Sequence, residues 1–144
     1  MITWKPEWYR DPKTGAIPAL AFLADVPTKV RVNLLAIRDA VRYSGGPERW
    51  QDPDTHALMR GDLDFMYEAR DRHDQTLYRL YLIWDRATSD LVMVDGKSKR
   101  NATAIPDSEY ADLAQLGRDI LQADPRPYAV VDDVIRWSLD RAAR

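Results

Sequence analysis

Between Met59 and Arg100 the chain reads as strand, turn, strand, turn, strand, and this stretch limits what the rest can be. Phe65, Tyr67 and Ala69 fall on one phase of a two-residue period, and Met66, Glu68 and Arg70 on the other. Arg72-His73-Asp74-Gln75-Thr76 reads as a hairpin turn. The run from Leu77 to Trp84 puts Tyr78, Leu80, Leu82 and Trp84 on one face and Arg79, Tyr81 and Ile83 on the other. After a turn over Arg86 to Asp90, Leu91 to Val94 is continuously apolar, as in a central strand. Gly96 lets the chain bend out of that strand into a basic turn, Lys97-Ser98-Lys99-Arg100. Such a meander cannot bury its apolar side chains alone, so the flanking sequence must supply the covering layers.

The flanks read that way. Ile2 to Tyr9 is a short strand, expected at an edge because Pro6 has no N–H for a ladder. Asp11 to Gly15 is a turn, and Pro18 to Ala24 a short helix. Pro27 opens a second helix with Val30, Leu34, Ile37 and Val41 as its apolar stripe, and Lys29, Arg31, Arg38 and Arg42 off it. Ser44-Gly45-Gly46-Pro47 ends that helix. Glu48 to Leu58 reads as a loop anchored by Trp50. A third helix spans Asp107 to Ala123, Asp124 to Pro127 breaks it, and a last helix runs from Tyr128 to Ala143. The order β-α-α-β-β-β-α-α describes one α+β domain over residues 1–144, with 125–144 as an extra C-terminal helix.

Composition excludes several functions. The chain of 144 residues has no cysteine, which removes disulfides, thiolate nucleophiles and zinc fingers together and suits a reducing compartment. No apolar run approaches the roughly 20 residues a membrane span needs. The polar, aromatic start MITWKPEWYRDPKTG is no signal peptide, so a cytoplasmic location is expected. Net charge is −2 and pI about 5.7. A nucleic-acid function therefore requires the two signs of charge to be separated in space. The two histidines, His56 and His73, are too far apart to form a metal centre without cysteine, and the pairs Asp52/Asp54 and Asp62/Asp64 are ordinary turn chemistry. No metal and no cofactor are expected.

The stretch also carries a resemblance. Met59-Arg60-Gly61 precedes Tyr67-Glu68-Ala69-Arg70, a hairpin leads to Tyr78-Arg79-Leu80-Tyr81, and Gly96-Lys97-Ser98-Lys99-Arg100 is followed by a Thr103 to Pro106 step into a helix. This resembles the phage-derived HigB-like branch of the RelE/HigB toxin superfamily, over about Gly15 to Ala123. The resemblance implies a RelE-like fold: a small antiparallel meander sheet with an N-terminal strand, packed by two N-terminal helices and by C-terminal helices. It implies a phage- or prophage-associated toxin that cleaves mRNA on the ribosome without a metal, held inactive by a cognate antitoxin protein. Arg70, Arg79, Lys97, Lys99, Tyr81 and Tyr110 would then be catalytic, and Arg60 and Arg100 would contact RNA. Glu68 stands where such toxins often carry a basic residue.

Each residue also has a plainer reading. Arg70 and Arg79 either clamp a phosphate together, or one of them pairs with Glu68 across the sheet. Lys97 to Arg100 is either a phosphate-tracking turn or a solvated loop. Tyr81 either stacks on a base or packs in the core. His73 and His56 are either acid–base groups or exposed turn residues. The alternative function is a non-enzymatic module of the same fold that binds a host or phage protein.

Overall fold

The computed structural model describes residues 3–43, 56–58, 65–100 and 107–132. The strands are β1 (Lys5–Tyr9), β2 (His56–Leu58), β3 (Met66–His73), β4 (Thr76–Asp85), β5 (Asp90–Arg100) and β6 (Tyr128–Ala129). The helices are α1 (Pro18–Asp25), α2 (Thr28–Tyr43) and α3 (Asp107–Gln122). They form an α+β fold around a mixed six-stranded sheet in the order β2-β3-β4-β5-β1-β6. β2 to β5 are an antiparallel meander, and β1 joins β5 in parallel.

Alternation along β3 and β4 feeds two cores. Tyr67, Leu80, Leu82 and Trp84 pack with Trp8, Leu23 and Leu34 under α1 and α2. Met66, Tyr81, Ile83 and Val92 pack with Leu113 and Ile120 of α3 on the opposite face. The phases read from sequence hold, with one correction. Phe65 precedes β3 rather than opening it, and it packs on the α3 side against Gly117.

The β3–β4 turn is the two-residue type that right-twisted strands favour, with positive φ at both Asp74 (49°) and Gln75 (64°). α1 begins on Pro18, whose missing N–H costs nothing in the first turn. α2 differs from its expected stripe. Arg31 and Arg38 are buried beside Val30, Leu34 and Val41. Arg31 donates from a terminal guanidinium nitrogen to the Leu23 carbonyl at 3.4 Å, so its charge meets an orphan acceptor at the C-terminal end of α1.

Four other expectations change. β5 does not stop at Val94: Gly96 stays in the strand, and Lys97 to Arg100 pair with Thr76 to Arg79. The sequence signal is lost there because Lys97 to Arg100 are exposed, and an exposed strand residue can be polar while its backbone is paired. Gly96 serves close approach instead of a bend, since the ring of Phe22 lies where its Cβ would be. β1 lies between β5 and β6, yet β6 reaches only Trp8 and Tyr9 and stops short of Pro6. Part of the expected loop, His56 to Leu58, is a strand against Tyr67 to Ala69.

The expected last helix does not begin at Tyr128. Tyr128 and Ala129 form β6 on the free edge of β1, where an unpaired backbone needs partners. Asp85 holds this segment down. Its Oδ2 accepts from Arg126 Nε at 2.9 Å and from the Tyr128 hydroxyl at 2.7 Å, and its Oδ1 accepts from the Ala87 N–H at 3.1 Å. Trp50, Thr103 to Pro106 and the remainder of the expected last helix beyond residue 132 lie outside the described residues.

Two outcomes follow from this packing. Gly96→Ala is expected to lower the unfolding free energy by about 1–3 kcal/mol in urea, because the ring of Phe22 must move; an unchanged midpoint would show the ring yields freely. Burial opposes ionisation of Asp85, but hydrogen bonds from Arg126, Tyr128 and Thr88 overcome it and hold its carboxyl below the ordinary aspartate range. A depressed folded value stabilises above the unfolded value and is lost as pH falls through it. Stability should therefore drop below about pH 4, and Asp85→Asn should be less stable at neutral pH with a flatter acid limb. Parallel acid limbs in the two proteins would contradict this role.

Candidate functional site

Strand register brings most of the suspected residues into three rows on the α3 side of the sheet. The first row is Glu68, Tyr81 and Asp95; the second is Arg70, Arg79 and Lys97; the third is Arg72, Leu77 and Lys99. A β-bulge opposite Tyr81 and Leu82 adjusts β5 between the apolar part of this face and these rows. Lys97 and Lys99 are therefore strand residues sharing a face with Arg70 and Arg79. Arg100 pairs with Thr76 and alternation puts it on the opposite face. Asp71 is also directed to that opposite face, where Asn33 of α2 donates to its Oδ2 at 3.2 Å. Arg60 lies outside the described residues.

Burial falls steeply along the rows. Tyr81 is 0% exposed, Glu68 8% and Arg79 5%. Arg70 is half-buried, and Arg72, Lys97 and Lys99 are exposed. Arg79 Nε sits 2.6 Å from Glu68 Oε1. The contact is a buried ion pair. Burial pushes the Glu68 carboxyl above its ordinary range, against the opposing pull of Arg79 and then Arg70. Burial raises Asp95 as well, although it accepts the Gly96 N–H at 2.7 Å and lies near Lys97.

The Tyr81 hydroxyl has no hydrogen-bond partner among the described residues. Burial raises its pKa far above the ordinary tyrosine value, and Glu68 adds to the shift, so it stays a neutral phenol. Glu109 and Tyr110 of the first turn of α3 also act on it electrostatically. Tyr110 is half-buried beside the same core, so the structure places it near Tyr81. His73 ends β3 in the hairpin, its Nε2 3.3 Å from Asp74 Oδ2.

The face thus divides by depth. Its floor is the buried carboxylate of Glu68, guanidinium of Arg79 and phenol of Tyr81, with the half-buried carboxylate of Asp95 beside them. Its outer rows are cationic: Arg70 is half-buried, and Arg72, Lys97 and Lys99 are exposed. Arg72 was missed from sequence, though its two-residue spacing from Arg70 was the available signal. No three acidic or histidine side chains come together to hold a metal among the described residues, and no helix there is long and apolar enough to cross a membrane. In comparison with protein-family models, curated proteins and solved structures, the chain matches none.

The ion pair makes a testable claim. Removing one partner strands the other charge, so Arg79→Met alone should cost about 3–5 kcal/mol in denaturant unfolding, while Glu68→Met/Arg79→Met should recover most of that loss. Additive losses would show that the two groups do not interact.

Proposed function

We propose that the chain is a RelE/HigB-like toxin of a toxin–antitoxin pair, phage- or prophage-associated, that contacts mRNA through the cationic end of its sheet. The observation that carries this reading is the separation of charge. The chain is acidic overall, yet Arg70, Arg72, Lys97 and Lys99 gather on one face at one end of three adjacent strands. The element order supports it too: an N-terminal strand, two helices on one face, a meander, then a helix on the other face.

In the cleavage the ribose 2′-hydroxyl gives up its proton to water as its oxygen attacks the adjacent phosphorus, the bond to the 5′-oxygen breaks, and that oxygen takes a proton from water, leaving a cyclic phosphate and a 5′-hydroxyl. Charge grows on the phosphoryl oxygens as this happens. Arg70, Lys97 and Lys99 are the groups placed to neutralise it. Arg79 holds Glu68 and acts through it, so it is a positioning residue. Tyr81 and Tyr110 close the site beneath α3. A cognate antitoxin would cover the cationic rows, and the ribosome would present the message.

A second reading has its own support. Glu68 and Tyr81, two side chains of the acid–base type, are sealed beneath the exposed cationic rows. This favours a binding module of the same fold, directed at a host or phage protein, over an enzyme.

Expression in a bacterial host separates the readings. Wild type should arrest growth and cut transcripts, and Lys97→Ala/Lys99→Ala should relieve both. In binding to single-stranded RNA, that double variant should flatten the slope of log affinity against log salt by about 1.4, for two lost phosphate contacts. RNA binding without cleavage would leave the module reading standing. No binding and no arrest would remove the toxin reading.

A further inference from the structure

At the opposite end of α3 from the cationic rows, a groove of about 400 Å³ lies between the turn after β1 and the helix's C-terminal half. Leu116, Ile120, Pro125 and Pro127 give it apolar walls. Tyr9 lines it, only 8% exposed, and its hydroxyl finds no hydrogen-bond partner among the described residues. Asp11 and Asp119 also line the groove, and both carboxylates are close enough to act on that hydroxyl. Asp11 Oδ1 accepts the Lys13 backbone N–H at 2.9 Å, and Asp119 Oδ1 accepts from Gln115 Nε2 at 2.8 Å. The second oxygen of each carboxylate has no hydrogen bond among the described residues. Lys13 is the one cation among the lining residues, and it is exposed.

The lining therefore combines apolar surface with acceptors. A ligand that fits must offer several N–H donors, a positive charge and an aliphatic stem. We propose that this groove binds an arginine side chain of a partner polypeptide, its guanidinium between Asp11 and Asp119 with the Tyr9 oxygen as a third acceptor, and its stem against Ile120 and Pro127. A planar fork of donors suits paired carboxylates better than an ammonium does. The same carboxylates repel phosphate, so nucleic acid is excluded here. The groove does not depend on the RNA reading, and a partner seated in it leaves the cationic rows free.

The test is a titration of the ¹⁵N-labelled full chain with acetyl-Ile-Arg-Ile-amide, followed by backbone amide shifts. The control is the same peptide with citrulline, which keeps the shape and loses the charge. The arginine peptide should shift Tyr9, Asp11, Leu116, Asp119 and Ile120 together. Its affinity should fall about tenfold with citrulline and similarly in Asp119→Asn, a change at an exposed helical position. Tyr9→Phe should weaken binding less than Asp119→Asn. Equal binding of the citrulline peptide, shifts mapping elsewhere, or no shifts up to about 10 mM peptide would overturn the proposal.

Discussion

The ten residues of β4 supply both cores of this protein at once. Its even-numbered side chains Leu80, Leu82 and Trp84 lie under α1 and α2, and its odd-numbered Tyr81 and Ile83 lie under α3. A strand with two buried faces cannot shift register by one residue without exchanging the two sets. That constraint fixes β3 and β5 on either side of it, and through them the position of every residue on the candidate site. Towards Thr76 exposure rises on the α3 side, at Arg72, Lys97 and Lys99, while α2 still reaches Asp71 on the other face. There the outer strands carry arginine and lysine where the inner parts carry valine and methionine.

The Glu68–Arg79 pair sits at the border between these regimes. Deeper on this face lie Met66, Ile83 and Val92; further out, Arg70 is half-buried and Lys97 and Lys99 are exposed. A lone charge at this depth would be costly, and the pair lets the cationic character of the face begin before the core ends. Burial weighs against the Glu68 charge even so, and Arg79 and Arg70 together offset part of that cost. The same arrangement explains why the formal balance of the sequence misleads. Asp85 and Asp90 are buried at the far end of the same sheet face, and Asp71 is turned to α2, which leaves Glu68 and Asp95 as the carboxylates in the rows that hold the exposed lysines.

α3 joins the two ends of the molecule. Its first turn acts on Tyr81, its middle lies against Phe65 and Met66, and its C-terminal half walls the groove beside Tyr9. The chain then returns through Arg126 to Asp85 and adds β6 to β1. One carboxylate at the β4–β5 turn thus secures the segment that completes the groove.

Much of this was legible in the residues themselves. The two-residue period of β3 and β4, the hairpin at Asp74-Gln75 and the start of α1 and α2 at prolines are local matters of backbone sterics and side-chain alternation. So was the sharing of one face by Glu68, Arg70, Arg79 and Tyr81, although Arg72 joins them and Arg100 does not. What sequence left open was decided by distant contacts. Whether Glu68 neutralises Arg79 depends on cross-strand register; whether Lys97 to Arg100 is a turn or a strand depends on Thr76 to Arg79 lying beside it. Whether Tyr128 opens a helix depends on Asp85, 43 residues away, accepting its hydroxyl. The chain determined by itself which side chains alternate and where it turns, because those depend on neighbours in sequence. Only the tertiary structure decided which charges are sealed and which are free, because desolvation is set by what covers a group rather than by what precedes it.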